Sequence, residues 1–157
     1  MAGAADYQPP QATLAKTGGG RGNPLLWALA LAGSAVLLHV LLWGPQAPLG
    51  RAPVAGAALA VAGLGWALWA LRLWSSSGAA RLLDEGPFRL GRNPMYLGTA
   101  AVLVGAALAL GVPLLAVAAA AYVTAVQRLL IPHEEAALRR AFGGWYVDYR
   151  ASVPRWL

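Results

Sequence analysis

The stretch PMYLGTAAVLVGAALALGVPLLAVAAAAYVTAV, residues 94–126, holds no charged side chain over about 33 positions. As one straight helix it would run ~50 Å at about 1.5 Å per residue, well beyond the ~30 Å of a bilayer's hydrocarbon. Gly111-Val112-Pro113 stands near its middle. Glycine and proline there punctuate the apolar run, so it reads as a tight hairpin of two membrane helices, about 94–110 and 114–131. The second passes Gln127 and Arg128 and is expected to stop at Pro132, whose ring cannot continue a helical ladder.

Two further apolar blocks precede the hairpin. Residues 25–43 follow Pro24, carry no formal charge and end at Gly44-Pro45. Residues 54–72 lie between Pro53 and Arg72, with Trp66, Trp69 and Trp74 toward the far end, where an aromatic belt would sit. The expected fold is therefore all-α, a polytopic membrane protein with four transmembrane helices. Residues 24–157 form a single membrane domain that finishes in a cytoplasmic, amphipathic helical segment, 132–157. Residues 1–23 read as a flexible cytoplasmic tail ended by Gly18-Gly19-Gly20, with a charged region too long for a secretory signal.

Composition agrees with that reading. Hydrophobic residues make up 59% and charged residues 11%, against roughly 25% charged in a soluble domain. Too few charges remain to cover a soluble surface, which excludes most cytosolic enzymes, coiled coils and disordered tails. The 12 Lys+Arg against 6 Asp+Glu leave a formal charge of +6. Those basic residues fall between apolar blocks rather than on one face, so they speak for membrane orientation and lipid headgroups, not nucleic acid. With no cysteine there is no disulfide, thiolate metal site or cysteine nucleophile. No metal site is expected at all.

Orientation follows from the loops. Lys16 and Arg21 lie in the tail, Arg81, Arg89 and Arg92 in the middle loop, and Arg139, Arg140, Arg150 and Arg155 near the C-terminus. The other two loops hold only Arg51 between them. Both termini should be cytoplasmic, in a plasma or inner membrane. Gly56, Ala60, Gly63, Ala101, Gly105 and Ala109 recur at spacings of three or four, as close helix contacts in lipid require.

Polar chemistry concentrates in two segments on one side. Residues 86–98 lead into the third helix, and residues 131–155 leave the fourth, so the hairpin brings them together. Four of the six acids, Asp84, Glu85, Glu134 and Glu135, belong to that face. Each element also has a purely structural reading. Arg92-Asn93-Pro94 is how a helix starts, Glu134 and Glu135 suit a helix's first turn, and Trp145, Tyr146 and Tyr149 suit a segment lying on the membrane. His39 reads as interfacial or as facing a cavity. Adjacent carboxylates beside anionic lipid nevertheless ask for a further reason, and Gly98 would let a ligand approach the backbone.

These residues carry a resemblance. Arg92-Asn93-Pro94-Met95-Tyr96-Leu97-Gly98 resembles the Arg-His-Pro-x-Tyr-x-Gly motif of the isoprenylcysteine carboxyl methyltransferases and the related phospholipid methyltransferases. Glu134-Glu135, Leu138, Phe142-Gly143, Tyr146, Tyr149 and Val153-Pro154-Arg155 are similar to that family's second signature. The resemblance covers about residues 80–157 and leaves the first two helices unmatched. It implies an integral-membrane methyltransferase that uses S-adenosyl-L-methionine and a lipophilic acceptor entering from the bilayer.

The cofactor-binding positions so implied are Arg92, Asn93, Tyr96, Leu97, Gly98, His133 and Glu134. Glu134 would pair with the donor's ammonium and an arginine with its carboxylate, while Tyr96 would stack on adenine or face the sulfonium. Asn93 stands where the family often has histidine, and an amide cannot titrate. Glu135, Arg150 and Arg155 are the catalytic candidates: Glu135 as base for an amine acceptor, either arginine as anchor for a carboxylate. Two alternatives stand beside this reading. Sterol reductases, which use NADPH, look similar over the C-terminal third, and a non-catalytic membrane protein with a degenerate site would keep the same spans.

Overall fold

The computed structural model describes residues 23–44, 52–76 and 82–157. The tail, with Lys16 and Arg21, and the loop residues Arg51 and Arg81 lie outside these. Among the described residues the chain is all helical. Proline opens each apolar helix: α1 is Pro24–Trp43, α2 Pro53–Ser76, α3 Pro94–Leu110 and α4 Pro113–Ala125. A proline in the first turn gives up no hydrogen bond, and its fixed φ already suits the helix. Asn23 completes the start of α1 by accepting from the Leu25 N–H at 2.9 Å.

The hairpin forms where the sequence places it. Gly111 ends α3 in the left-handed region, φ 68°, and α4 begins at Pro113. The other end of α4 differs from expectation, because Pro132 does not stop it. A π-helical turn, Val126–Leu130, joins α4 to α5, Ile131–Phe142, and the Ile131 N–H reaches the Val126 carbonyl five residues back. The wider turn makes room for a proline ring that would otherwise strike the carbonyl four residues before it. One continuous helix, Pro113–Phe142, results. A sharp turn at Gly143, φ 54°, then leads into α6, Gly144–Ser152. The second helix also outruns its expected end at residue 72. Ser75 and Ser76 fold their hydroxyls onto the carbonyls of Arg72 and Leu73 and carry the last turn to Ser76.

Among the described residues three helices are long and apolar enough to cross a membrane: Pro24–Trp43, Pro53–Ser76 and Pro113–Phe142. The fourth apolar helix, Pro94–Leu110, is 17 residues long. It lies between α2 and α4, and α1 packs against α4. The α2–α3 seam is made of glycine and alanine. A Cβ at Gly105 would sit 2.5 Å from the Ala60 nitrogen, and one at Gly63 would sit 2.7 Å from the Ala101 Cβ. Gly56 meets Ala109 in the same way. The Leu, Val and Trp side chains of α1 and α2 that point away from these seams are exposed, as a lipid-facing surface would be.

Packing also fixes which ends lie together. Ala28, early in α1, shares a buried cluster with Tyr96, Tyr122, Val126, Leu130 and Ile131. Ala35 clusters instead with Val112 and Leu115 at the hairpin turn. The starts of α1 and α3, the end of α4 and the C-terminal Trp156 are thus at one end of the bundle. His39 is at the other end, buried beside Trp43 with ring centroids 5.2 Å apart.

Candidate functional site

At the polar end, the start of α3 and the first turn of α5 face each other across the hairpin. Tyr96 donates its hydroxyl to Glu134 Oε1 at 2.5 Å, and its ring meets Tyr122 edge-on at 6.5 Å. Arg92, two residues before the helix, donates from Nη1 to Glu135 Oε1 at 2.9 Å. Arg155 grips the same carboxylate from the other side, Nε to Oε1 at 3.1 Å and Nη2 to Oε2 at 2.9 Å. The trio is well shielded, with Arg92 10%, Glu135 13% and Arg155 32% exposed. A carboxylate between two guanidinium groups compensates its own desolvation far better than a single pair does.

The last residues of the chain close over this centre. The Arg92 N–H donates to the Pro154 carbonyl at 3.0 Å, and the Asn93 amide donates from Nδ2 to the Arg155 carbonyl at 2.9 Å. Gly91 presses on the Trp156 carbonyl, where a side chain would not fit. The Trp156 indole N–H donates to Gln127 Oε1, in the π turn, at 3.2 Å. Below, Tyr149 donates its hydroxyl to the Phe88 carbonyl at 2.8 Å and packs with Tyr146, Phe142 and Val153.

Electrostatics separate the two glutamates. Glu134 is exposed as a residue, but its carboxylate rests on Tyr96. Partial desolvation there pushes its pKa up, the Tyr96 hydrogen bond opposes this, and the charge of Glu135 adds to the rise. Burial, then the negative Glu135, raises the Tyr146 hydroxyl, while Arg92 and Arg150 pull it down. Burial also raises Tyr149, so both phenols stay neutral: Tyr149 donates to Phe88, and Tyr146 accepts from Arg92.

Most of the residues singled out in the sequence meet here: Arg92, Asn93, Tyr96, Glu134, Glu135 and Arg155. Others stand differently. The close approach at Gly98 is made by α2, since a Cβ there would lie 2.5 Å from the Gly63 carbonyl oxygen and 2.8 Å from the Ala67 nitrogen. Leu97 is half-buried, and His133 is exposed on the outer side of α5's first turn. Arg150 is exposed on α6 and makes no ion pair among the described residues. Arg155 and Glu135 are engaged with each other. Tyr146 and Tyr149 are buried inside the fold rather than laid on a membrane, and only their neighbour Trp145, 56% exposed, faces outward. Gln127, Tyr122 and Trp156 belong to the centre too. The only sequence signal for them was position, Trp156 next to Val153-Pro154-Arg155 and the other two late in an apolar helix.

A groove of about 700 Å³ opens beside the centre, between residues 82–89 and α6. Asp84, Arg89, Asp148 and Tyr149 line it.

Similarity to known proteins agrees with this geometry. The phospholipid methyltransferase family matches residues 52–144, more than half of the chain. The match takes in all of α2, upstream of the two motif segments, and stops before Tyr146, Tyr149 and Arg155. Neither the curated proteins nor the solved structures gave a match. With the matched region carrying both Tyr96 and the paired glutamates on apolar helices, this chain belongs to the phospholipid methyltransferase family, integral-membrane enzymes that take their methyl group from S-adenosylmethionine.

Proposed function

We propose that this enzyme binds its methyl donor at the Tyr96–Glu134 face of the polar end and methylates a lipophilic acceptor that reaches the same place from the bilayer. The observation that carries this reading is the pairing of two segments about 40 residues apart, through Tyr96–Glu134 and Arg92–Glu135, at the end of the α3–α4 hairpin.

The residues present suit the donor. Tyr96 engages one oxygen of Glu134, and the other has no hydrogen bond among the described residues, so it can take an ammonium or a ribose hydroxyl. Arg92 Nε is buried without a partner among those residues, a cationic donor waiting for an acceptor such as a carboxylate. S-adenosylmethionine supplies an electrophilic methyl group on a sulfonium. The chain supplies placement: Glu134 and Arg92 hold opposite charges, the Tyr96 hydroxyl fixes the Glu134 carboxylate, and the C-terminal residues keep water from the polar end. Methyl transfer is an in-line displacement, so placement and desolvation provide most of its acceleration.

Glu135 and Arg155 hold each other, which favours a supporting role for both over those of base and substrate anchor. Arg150, exposed on α6, remains as anchor for an anionic acceptor. Four crossings follow the same logic: α3 lies along α2 and the hairpin joins it to α4, so α3 crosses if they do. The shared end of α1, α3, α4 and the C-terminus supports one common side for both termini, and the arginines gathered there favour the cytoplasmic one. The cysteine-free chain makes this testable, because an impermeant maleimide applied to intact cells should label Leu110→Cys and spare Ser152→Cys. The reverse pattern would invert the topology.

The acceptor is found by transfer of a radiolabelled methyl group to two classes, an isoprenylated cysteine carboxylate and an amine-bearing phospholipid. Label in the lipid-extractable product of either class supports the proposal. Label in neither, with folded enzyme that binds donor, contradicts a lipophilic acceptor of these classes.

A further inference from the structure

We infer that the C-terminal strap, residues 153–156, is a positioning element for the donor site, pinned by Asn93 on one side and Gln127 on the other. The inference rests on the donor site proposed above and adds residues that its chemistry does not touch.

Three consecutive strap residues bond to three separate pieces of the fold. Pro154 and Arg155 present their carbonyls to the Arg92 N–H and the Asn93 amide at the start of α3. The Arg155 side chain clamps Glu135 on α5. Trp156 places its indole N–H on Gln127, in the π turn, and its ring against the cluster around Tyr96 and Tyr122. Gly91 lies against the Trp156 carbonyl and lets the strap seat fully. Arg92 and Glu134, the two charges offered to the donor, are thereby fixed relative to each other by a segment that contributes neither.

The geometry also explains the amide at position 93. Its N–H group holds a backbone carbonyl, a task that needs an N–H donor and no titration. Asn93 then acts on the donor only through the strap. Gln127 sits in the π turn that lets the helix pass Pro132, so the turn both carries the chain to the glutamates and receives the strap.

The test uses the full chain in mild detergent, with S-adenosylhomocysteine titrated by calorimetry and steady-state rates measured in parallel. Trp156→Phe keeps a ring in place and removes the indole N–H. Gln127→Leu removes its acceptor. Each should weaken binding about 5-fold, the scale of one hydrogen bond. The double variant should also weaken it about 5-fold, because both changes delete the same bond. Asn93→Leu should behave alike, and Asn93→His, which retains an N–H donor, should restore binding to within about 2-fold. The donor KM should rise in the impaired variants with kcat nearly unchanged, a split that general destabilisation would not produce. Wild-type affinity in Trp156→Phe, or an additive loss of about 25-fold in the double variant, overturns the inference while leaving the donor site standing. No binding by the folded wild type overturns both.

Discussion

Glu135→Ala should be the most destabilising single change at the polar end, and the reason lies in what it leaves behind. Glu135 accepts three charge-assisted hydrogen bonds, at 2.9, 3.1 and 2.9 Å. Without it, Arg155, a third exposed, can turn toward water. Arg92 cannot: it is 10% exposed, keeps only the Tyr146 oxygen at 3.4 Å, and its Nε already lacks a partner among the described residues. Stranding a buried charge costs ~3–5 kcal/mol, so a loss of about 3 kcal/mol is expected once Arg155 has relaxed. Arg155→Ala removes two bonds but leaves Glu135 paired with Arg92, for about 1 kcal/mol. Glu135→Gln should fall between them, since an amide oxygen can still accept from one guanidinium. Replacing all three residues with leucine should recover much of the loss, because the cost is the orphaned charge rather than the missing attraction. Unfolding of the detergent-purified variants by SDS titration reads the order directly. A Glu135→Ala protein within about 1 kcal/mol of wild type, or level with Arg155→Ala, would mean that Arg92 is not left stranded.

The α2–α3 seam makes a paired prediction. Gly98→Ala should destabilise by about 1–3 kcal/mol as the new methyl group meets α2, whereas Gly33→Ala, with nothing within 4 Å of its Cβ, should be neutral or stabilising in the same unfolding assay. Tyr149→Phe deletes the buried bond to the Phe88 carbonyl and should cost about 1–2 kcal/mol by the same measurement. A pH dependence follows from Glu134. Burial raises its pKa and so extends its protonated range upward, while a cationic donor group needs the carboxylate; donor affinity should climb as pH rises through that pKa, with proton release wherever the free residue is protonated. Calorimetry in buffers of different ionisation enthalpy measures that release, and Glu134→Gln should abolish it.

The helices were legible where the backbone signals were local. Asn93-Pro94 and Gly111-Val112-Pro113 bracket α3 to the residue, because an N-terminal proline and a left-handed glycine act within one turn. Gly56, Ala60, Gly63, Ala101, Gly105 and Ala109 all lie in the α2–α3 seam, since in lipid close approach needs small side chains at helical spacing. Pro132 misleads for the opposite reason. Whether a proline stops a helix depends on the turn before it, and nothing in Val126-Gln127-Arg128-Leu129-Leu130 announces the wide turn. At the site, the residue types foretold which charges gather but not how they pair. Glu135 looked available as a base, yet two arginines 43 and 20 residues away in sequence take its oxygens. Gly98 had two uses, ligand approach or helix approach, and only the position of α2 distinguishes them.

Everything proposed for the polar end depends on Glu134 and Tyr96 holding the methyl donor. Calorimetric titration of S-adenosylhomocysteine into the detergent-purified protein, with Glu134→Ala and Tyr96→Ala alongside and NADPH as control ligand, tests this assignment most directly. Wild type should bind, both variants should lose binding without unfolding, and NADPH should give no response. Undiminished binding in Glu134→Ala would contradict the assignment and move the donor elsewhere on the polar end.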